Sequence, residues 1–304
     1  MRVLNHFSPL KWCRSLPRLM SFIDSRLFES SLGDGVKHKQ WPMQNSPQSG
    51  HVYFIGAGSG DVELLTLKAA RLISQAEAIV YDRLVGDDVL ALIPIGCERY
   101  YVGKSRGNHS VPQPEIGALM VKLASEGKTV VRLKGGDPGV FGRMGEELEA
   151  LAAAKLSATI VPGITAASSA AACMGIPLTD RGHAQQIRFV TAQLCREEGT
   201  PDWSTLARRD ETLVFYMGLS KVEAICLGLR EAGLPNHWPI MLIANASRPN
   251  QQSLVGTLMD MPQALSAQPL PSPCIIVVGS VVGLVAESPA ANNNIRALLM
   301  AASG

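Results

Sequence analysis

Glycines, two acids and a lysine stand at positions where alternating strands and helices would gather them on one edge of a sheet. The apolar run Val52–Ile55 breaks into Gly56, Gly58 and Gly60, then Asp61. A strand opening into glycines begins a dinucleotide fingerprint, G-x-G-x-x-G. Here Asp61 takes the sixth position, where that fingerprint needs a small residue beside a phosphate-accepting helix end. A carboxylate there repels a pyrophosphate, so the loop suits close backbone approach to a ligand carrying less negative charge. Asp82 ends AIVYD, Lys104 follows RYYVG, and Gly135, Gly136, Asp137 and Pro138 follow TVVRLK. Taken singly, Asp82 is equally suited to capping the next helix and Lys104 to a solvated loop. The GGDP run is more telling, because two glycines before Asp-Pro leave a tight backbone with no bulky side chain over it. Such a backbone offers its N–H and C=O groups to an adenine, ribose or amino-acid moiety. Further on, Gly163, Ile164 and Thr165 follow ATIVP, Met217 and Gly218 follow TLVFY, and Asn245–Arg248 follow PIMLIA. Met217 by itself reads as a core residue.

The elements that must position these residues are short and regular. AIVYD, RYYVG, TVVRLKG and ATIVP are β-rich runs that end in Gly, Pro or a charged residue. Between strands, VELLTLKAARLISQA and EIGALMVKLASEG carry apolar residues at helical spacing, and Gly127 stops the second. Strand, helix, strand in this order implies a parallel sheet with both faces covered. After Pro162 come an Ala-rich helix over Thr165–Met174 and the strands QIRFVTA, TLVFYMG, PIMLIAN, SLVGTL and PSPCIIVVG, with fewer clear helices. The expectation is two α/β domains, 51–162 with a parallel sheet and 163–285 with a mixed one, flanked by an extension (1–50) and a tail (286–304). Ligands of open α/β sheets bind outside the carboxyl ends of the strands. Two such edges facing each other across the join would make a cleft.

Bulk properties exclude several classes. Lys plus Arg is 28 against 26 for Asp plus Glu, a net charge of +2, which gives no global reason for a nucleic-acid partner. Aromatic residues make up only 5%, too few for a base-stacking platform. The six cysteines, Cys13, Cys97, Cys173, Cys195, Cys226 and Cys274, form no C-x-x-C, so no metal site is expected and reduced thiols are the default. No apolar run approaches the roughly 20 residues that span a bilayer, so no membrane association is expected. Residues 1–50 show no apolar period and finish in KHKQWPMQNSPQSG. They read as a disordered extension or, because Arg2, Lys11, Arg14 and Arg18 precede the first acid, as an organelle transit peptide. The expected location is cytoplasmic unless that second reading holds.

Together, VYFIGAGSGDVELLTLKAARLI, YVGKSRGNHSVPQPEI, VVRLKGGDPGVFGRMGEELEAL, VPGITAASSAAACMGIPLTDRGHA and TLVFYMGL resemble the successive signatures of the tetrapyrrole methylase family, over about residues 51–285. The resemblance implies C-methylation of uroporphyrinogen III at two ring positions, from S-adenosylmethionine, giving precorrin-2 for siroheme or cobalamin synthesis. It also implies a homodimer. By position it makes Asp82 the proton acceptor and Lys104 the proton donor. The cofactor shell falls on Ser59, Gly135, Gly136, Asp137, Val140, Thr165, Ala166, Met217 and Ala246. Because the implied substrate carries eight carboxylates, Lys104, Arg106, His109, Arg143, Arg181 and Arg248 are the cations available to hold it.

The chain departs from the family pattern at several loop positions: Ser59 for Pro, Ser105 for Arg, Pro114 for Glu and Gly139 for Phe. Met144 stands for a small residue, Asp180 for His, Ala192-Gln193 for Gly-His and Ala244 for Glu. Two other readings therefore stay open. One is another tetrapyrrole (precorrin) methylase, and the other is a paralogue that binds the cofactor without turnover.

Overall fold

Strand β1 (Val52–Gly56) is buried at every residue, as a central strand of a parallel sheet covered on both faces must be. The structure, a computed structural model, describes residues 50–103, 111–193 and 201–285. All of them lie in one compact unit that begins at Pro47. β1 is joined by β2 (Ala78–Tyr81), β3 (Glu98–Tyr101), β4 (Val130–Lys134) and β5 (Ala158–Val161) in the order β3-β2-β4-β1-β5. Every pairing is parallel. Alternation along the strands sorts the core into two layers. Tyr53, Ile55, Ile79, Val131 and Leu133 pack under helices α1 (Leu67–Ser74) and α2 (Asp87–Leu90). Phe54, Val80 and Val130 face α3 (Gln113–Ser125) and α4 (Met144–Ala153).

The chain then enters α5 (Ala166–Cys173), whose Ala167, Ala170 and Ala171 pack on a second sheet. That sheet contains β6 (Gln186–Thr191), β7 (Glu211–Tyr216), β8 (Pro239–Ala244), β9 (Gln252–Thr257) and β10 (Cys274–Val278), ordered β6-β7-β10-β8-β9. β6 and β7 are parallel, and the other three pairings are antiparallel. Its other face is covered by α6 (Trp203–Leu206), α7 (Val222–Glu231) and α8 (Met261–Ala267). The expected fold class, one parallel and one mixed sheet in an α/β chain, is borne out.

Five helices escape the apolar spacing: α2 and α6, of four residues each, and the longer α4, α7 and α8. The 62–76 segment, expected as one helix, is broken in two. Asp61 accepts from Glu63 N and caps a short 3-10 turn over Val62–Leu64, while Thr66 accepts from Ala69 N and starts α1. Two capping side chains five residues apart cannot serve one helix, because each cap residue is extended. The acid that argued against a pyrophosphate is thus an N-cap. Among the described residues, no helix is long and apolar enough to cross a membrane.

Candidate active site

At the carboxyl edge of the first sheet three loops cross with glycines at the crossing. A Cβ on Gly56 would lie 2.5 Å from Gly163 N and 2.7 Å from Gly136 O. A Cβ on Gly163 would lie 2.4 Å from Gly136 O. Gly136 N donates to Gly58 O at 2.6 Å, and Gly58 N returns a bond to Gly136 O at 3.2 Å. Gly136 itself has φ +70°, a region where a side chain is strained. Asp137 completes the crossing: its Oδ1 accepts from Gly139 N at 2.8 Å and its Oδ2 from Gly163 N at 3.0 Å. Gly163→Ala is expected to destabilise the protein by roughly 1–3 kcal/mol, because the obstacle is backbone that cannot rotate away. Urea unfolding checks this, and an unchanged midpoint would show that the crossing tolerates a methyl group.

The second sheet reaches this edge through the turn after β8. Ser59 Oγ and Ser247 Oγ share a hydrogen bond at 2.6 Å. Arg248 donates from Nε to Ser59 O at 3.0 Å and from Nη2 to Leu84 O at 2.6 Å. A Cβ on Gly60 would collide with that arginine at 2.6 Å from Nε, so the glycine at this position makes room for the guanidinium. Arg248, a candidate for substrate carboxylates, instead ties the first glycine loop to the turn that follows Asp82.

A third seam forms around Tyr216, at the end of β7. Its hydroxyl shares a 2.6 Å hydrogen bond with Thr165 Oγ1 and accepts from Ala167 N at 3.2 Å. Burial pushes the Tyr216 phenol up from its ordinary pKa. Its ring lies 5.0 Å from that of Phe141 and 5.7 Å from that of Phe189. Phe141, Met217 and Phe189 remain exposed large apolar side chains at this seam. Six non-glycine residues have left-handed φ among the described residues, and five of them, Phe141, Arg143, Met217, Asn245 and Ser247, lie in these loops. Such strain concentrates at sites where the surrounding structure dictates an unusual backbone. Exposed apolar side chains, bare glycine backbone and the start of α5 suit a ligand with a flat heterocycle and a polar tail, so the residues present fit S-adenosylmethionine.

Asp82 sits beside β4. Its Oδ1 accepts from Leu84 N at 3.0 Å, and its Oδ2 is 3.7 Å from Arg132 Nη1. Arg132 and Lys134 replace apolar residues on the α3–α4 face of β4, and both are buried. Glu147, on α4 and without solvent exposure at its side chain, receives both: Arg132 Nε at 3.0 Å and Lys134 Nζ at 2.9 and 3.0 Å. Gln113 of α3 adds a fourth bond at 3.0 Å. Burial, and then the neighbouring Arg132, lower the pKa of Lys134. Sequence reading overlooked this cluster. Its signal was two cations two apart in an otherwise apolar strand, which points both to one face.

The candidates divide accordingly. Contacts bring together Ser59, Gly135, Gly136, Asp137, Thr165 and the turn containing Ala246, with Gly135 pressed against Leu84 beside Asp82. Val140 N closes the GGDP turn onto Asp137 O at 3.2 Å, and Ala166 begins α5. Met217 directly follows Tyr216 and is half exposed. Arg143 pairs bidentately with Glu146 at 2.8 and 2.7 Å on an exposed face. Arg181 is exposed in a turn closed by Asp180 and Ala184, and among the described residues no hydrogen bond or ion pair ties it to these loops. Lys104, Arg106 and His109 lie outside the described residues. Several departures from the family pattern have local partners: Ser59 bonds Ser247, Gly139 N bonds Asp137, and Asp180 Oδ1 accepts from Gly182 N.

The model of the family Tetrapyrrole (Corrin/Porphyrin) Methylases matches residues 51–262. A siroheme synthase from Psychrobacter sp. (strain PRwf-1) is 49% identical over 242 residues, which cover 79% of this chain and 50% of that protein. The chain thus spans about half the length of such curated relatives. Among solved structures, a uroporphyrin III C-methyl transferase from Thermus thermophilus has a TM-score of 0.66 and 39% identity, covering 77% of this chain and 99% of that one. The same figures hold for its complex with S-adenyl homocysteine. A cobalamin biosynthetic enzyme, cobalt precorrin-4 methyltransferase, has a TM-score of 0.69 at 26% identity, covering 77% of this chain and 96% of that one.

Proposed function

Because the chain belongs to the tetrapyrrole methylase family, we propose that it transfers methyl groups from S-adenosylmethionine to two ring carbons of uroporphyrinogen III, giving precorrin-2. The observation that carries this reading is the glycine crossing beside the Thr165–Tyr216–Phe141 seam, an edge with bare backbone on one side and apolar side chains on the other. Support for the acceptor comes from the relatives named above, one of which was solved with the demethylated cofactor.

In this proposal Gly135, Gly136, Asp137, Val140, Thr165, Ala166, Met217 and Ala246 hold S-adenosylmethionine, which supplies an electrophilic methyl group when bound. Backbone N–H and C=O groups of the glycine crossing orient it, and Asp137, whose carboxylate accepts from Gly139 N and Gly163 N, is the charged member of the set. Phe141 and Phe189 exclude water from the reacting face. A pyrrole carbon that gains a methyl group leaves the ring one proton in excess, and Asp82 takes that proton. Lys104 delivers a proton elsewhere on the ring, and it joins Arg106, His109, Arg143 and Arg181 in pairing with substrate carboxylates. The active assembly is a homodimer that works in the cytoplasm.

A second reading, a later methylase, is favoured by the likeness to cobalt precorrin-4 methyltransferase. Methyl-labelled S-adenosylmethionine offered in parallel with uroporphyrinogen III and with precorrin-2 separates the two. Label in the product from uroporphyrinogen III is expected; label entering only the precorrin-2 reaction would move the chain to a later step.

A further inference from the structure

The loop after β1 is stiffened from the other sheet. Gly58 and Gly60 flank Ser59 with φ of +64° and +135°, and two glycines leave a loop more backbone freedom than any other pair of residues would. Where the family pattern has Pro, this chain has Ser59, which does not fix φ. The restraint comes instead from the turn after β8. That turn is itself anchored: Asn245 N donates to Pro273 O at 2.9 Å, Arg248 N to Asn245 O at 3.0 Å, and Ser247 N to Gln251 Oε1 at 2.9 Å. From it Ser247 Oγ meets Ser59 Oγ, and the half-buried Arg248 spans Ser59 O and Leu84 O with Nε and Nη2. Gly60 is enclosed, since its own Cβ would strike Arg248 and a Cβ on Gly86 would lie 2.6 Å from Gly60 O. Leu84 in turn fills the space beside GGDP, where a Cβ on Gly135 would lie 2.5 Å from Leu84 Cβ. One guanidinium thus joins the first glycine loop, the turn pressed on GGDP and the turn that carries Ala246.

We infer that Arg248 is a positioning residue for the cofactor: with Ser247 it clasps the first glycine loop in the conformation that S-adenosylmethionine needs, taking the place of a proline ring at position 59. The inference rests on the reading that this edge holds S-adenosylmethionine. A loop that is held before the ligand arrives loses less freedom on binding, so affinity rises. The clasp acts on backbone. Its two acceptors are carbonyl oxygens, so the guanidinium is committed to the loops and not to a substrate carboxylate. A proline at position 59 would cost no hydrogen bond, because Ser59 N donates none among the described residues. Proline and clasp are therefore alternative restraints on one loop, and each matters where the other is missing.

The test is calorimetric affinity for S-adenosylhomocysteine in wild type, Arg248→Met, Ser59→Pro and the double variant, with urea midpoints alongside. Arg248→Met is expected to weaken binding roughly tenfold, the scale of ordering about one backbone residue anew. Ser59→Pro alone is expected to bind within about twofold of wild type, yet in the Arg248→Met background to recover most of the loss; such non-additivity marks two restraints on one loop. A lower midpoint with unchanged affinity in Arg248→Met makes the residue merely structural and overturns the inference. A loss that Ser59→Pro leaves in place also overturns it, because Arg248 would then touch the ligand itself. Wild type without affinity for S-adenosylhomocysteine overturns the reading of this edge as the cofactor site. Should Arg248→Met not fold, Ser247→Ala takes its place, with and without Ser59→Pro: weaker binding that proline restores supports the clasp, and any other result overturns it.

Discussion

Asp82→Asn is expected to lower methyl transfer by ~10²–10⁴-fold, the range of a positioned general base, while binding of S-adenosylhomocysteine stays within about twofold of wild type. The substitution is gentle on structure. An asparagine keeps the side-chain oxygen that accepts from Leu84 N, so the turn after β2 persists. What it removes is the negative charge beside Arg132 and the capacity to take up a proton. The cofactor shell is built on other strands' loops, after β1, β4, β5, β7 and β8, so it has no reason to change. Single-turnover product formation, with calorimetric binding alongside, separates the outcomes: full activity refutes the base, and lost binding would mean that Asp82 shapes the cofactor loops.

Glu147→Ala is expected to cost about 3–5 kcal/mol of stability at neutral pH, the largest loss among the substitutions considered, because it strands two buried cations at once. Glu147 has no exposed side-chain area and accepts from Arg132, Lys134 and Gln113. The sign of the pH dependence follows from Lys134, whose pKa is already lowered by burial and by Arg132. A lysine with a depressed folded pKa makes the unfolded state bind more protons between the folded and unfolded values, so stability rises with pH across that interval. Losing Glu147 lowers the folded value further. The deficit should therefore be greatest at neutral and acid pH and narrow toward the ordinary lysine range, where Lys134 is neutral in both states. Urea midpoints from pH 6 upward test it; a deficit that does not change with pH would contradict a charge origin.

How much of this was legible in the sequence depends on which interaction sets each feature. Short β-rich runs ending in Gly, Pro or a charge match β1–β5 closely: β1 and β2 are apolar because central strands are buried on both faces, whereas the edge strands β3 and β5 are partly exposed and were marked by aromatic and β-branched residues. GGDP was rightly singled out as bare backbone, but its partner was not legible. Gly56 and Gly163 lie far apart in sequence, and only folding brings them against Gly136. Asp61 was rightly placed at a helix N-terminus, but the short turn it caps was run on into a longer helix, since apolar spacing crosses the Leu65–Thr66 break. Helix α4 was hidden behind left-handed Arg143, although Glu146 and Glu147 in its first turn suit a helix N-terminus. Tyr216 looked like one more aromatic in a strand, and Arg248 like a substrate cation, until the loops that use them were in place. Long-range pairing of this kind leaves no periodic trace.

The most direct measurement of the central claim is anaerobic incubation of the purified protein with S-adenosylmethionine and enzymatically generated uroporphyrinogen III, with the tetrapyrrole mass followed over time. The account predicts a transient species heavier by one methyl group, replaced by one heavier by two. An unchanged tetrapyrrole mass, from a protein that binds S-adenosylhomocysteine, would contradict it.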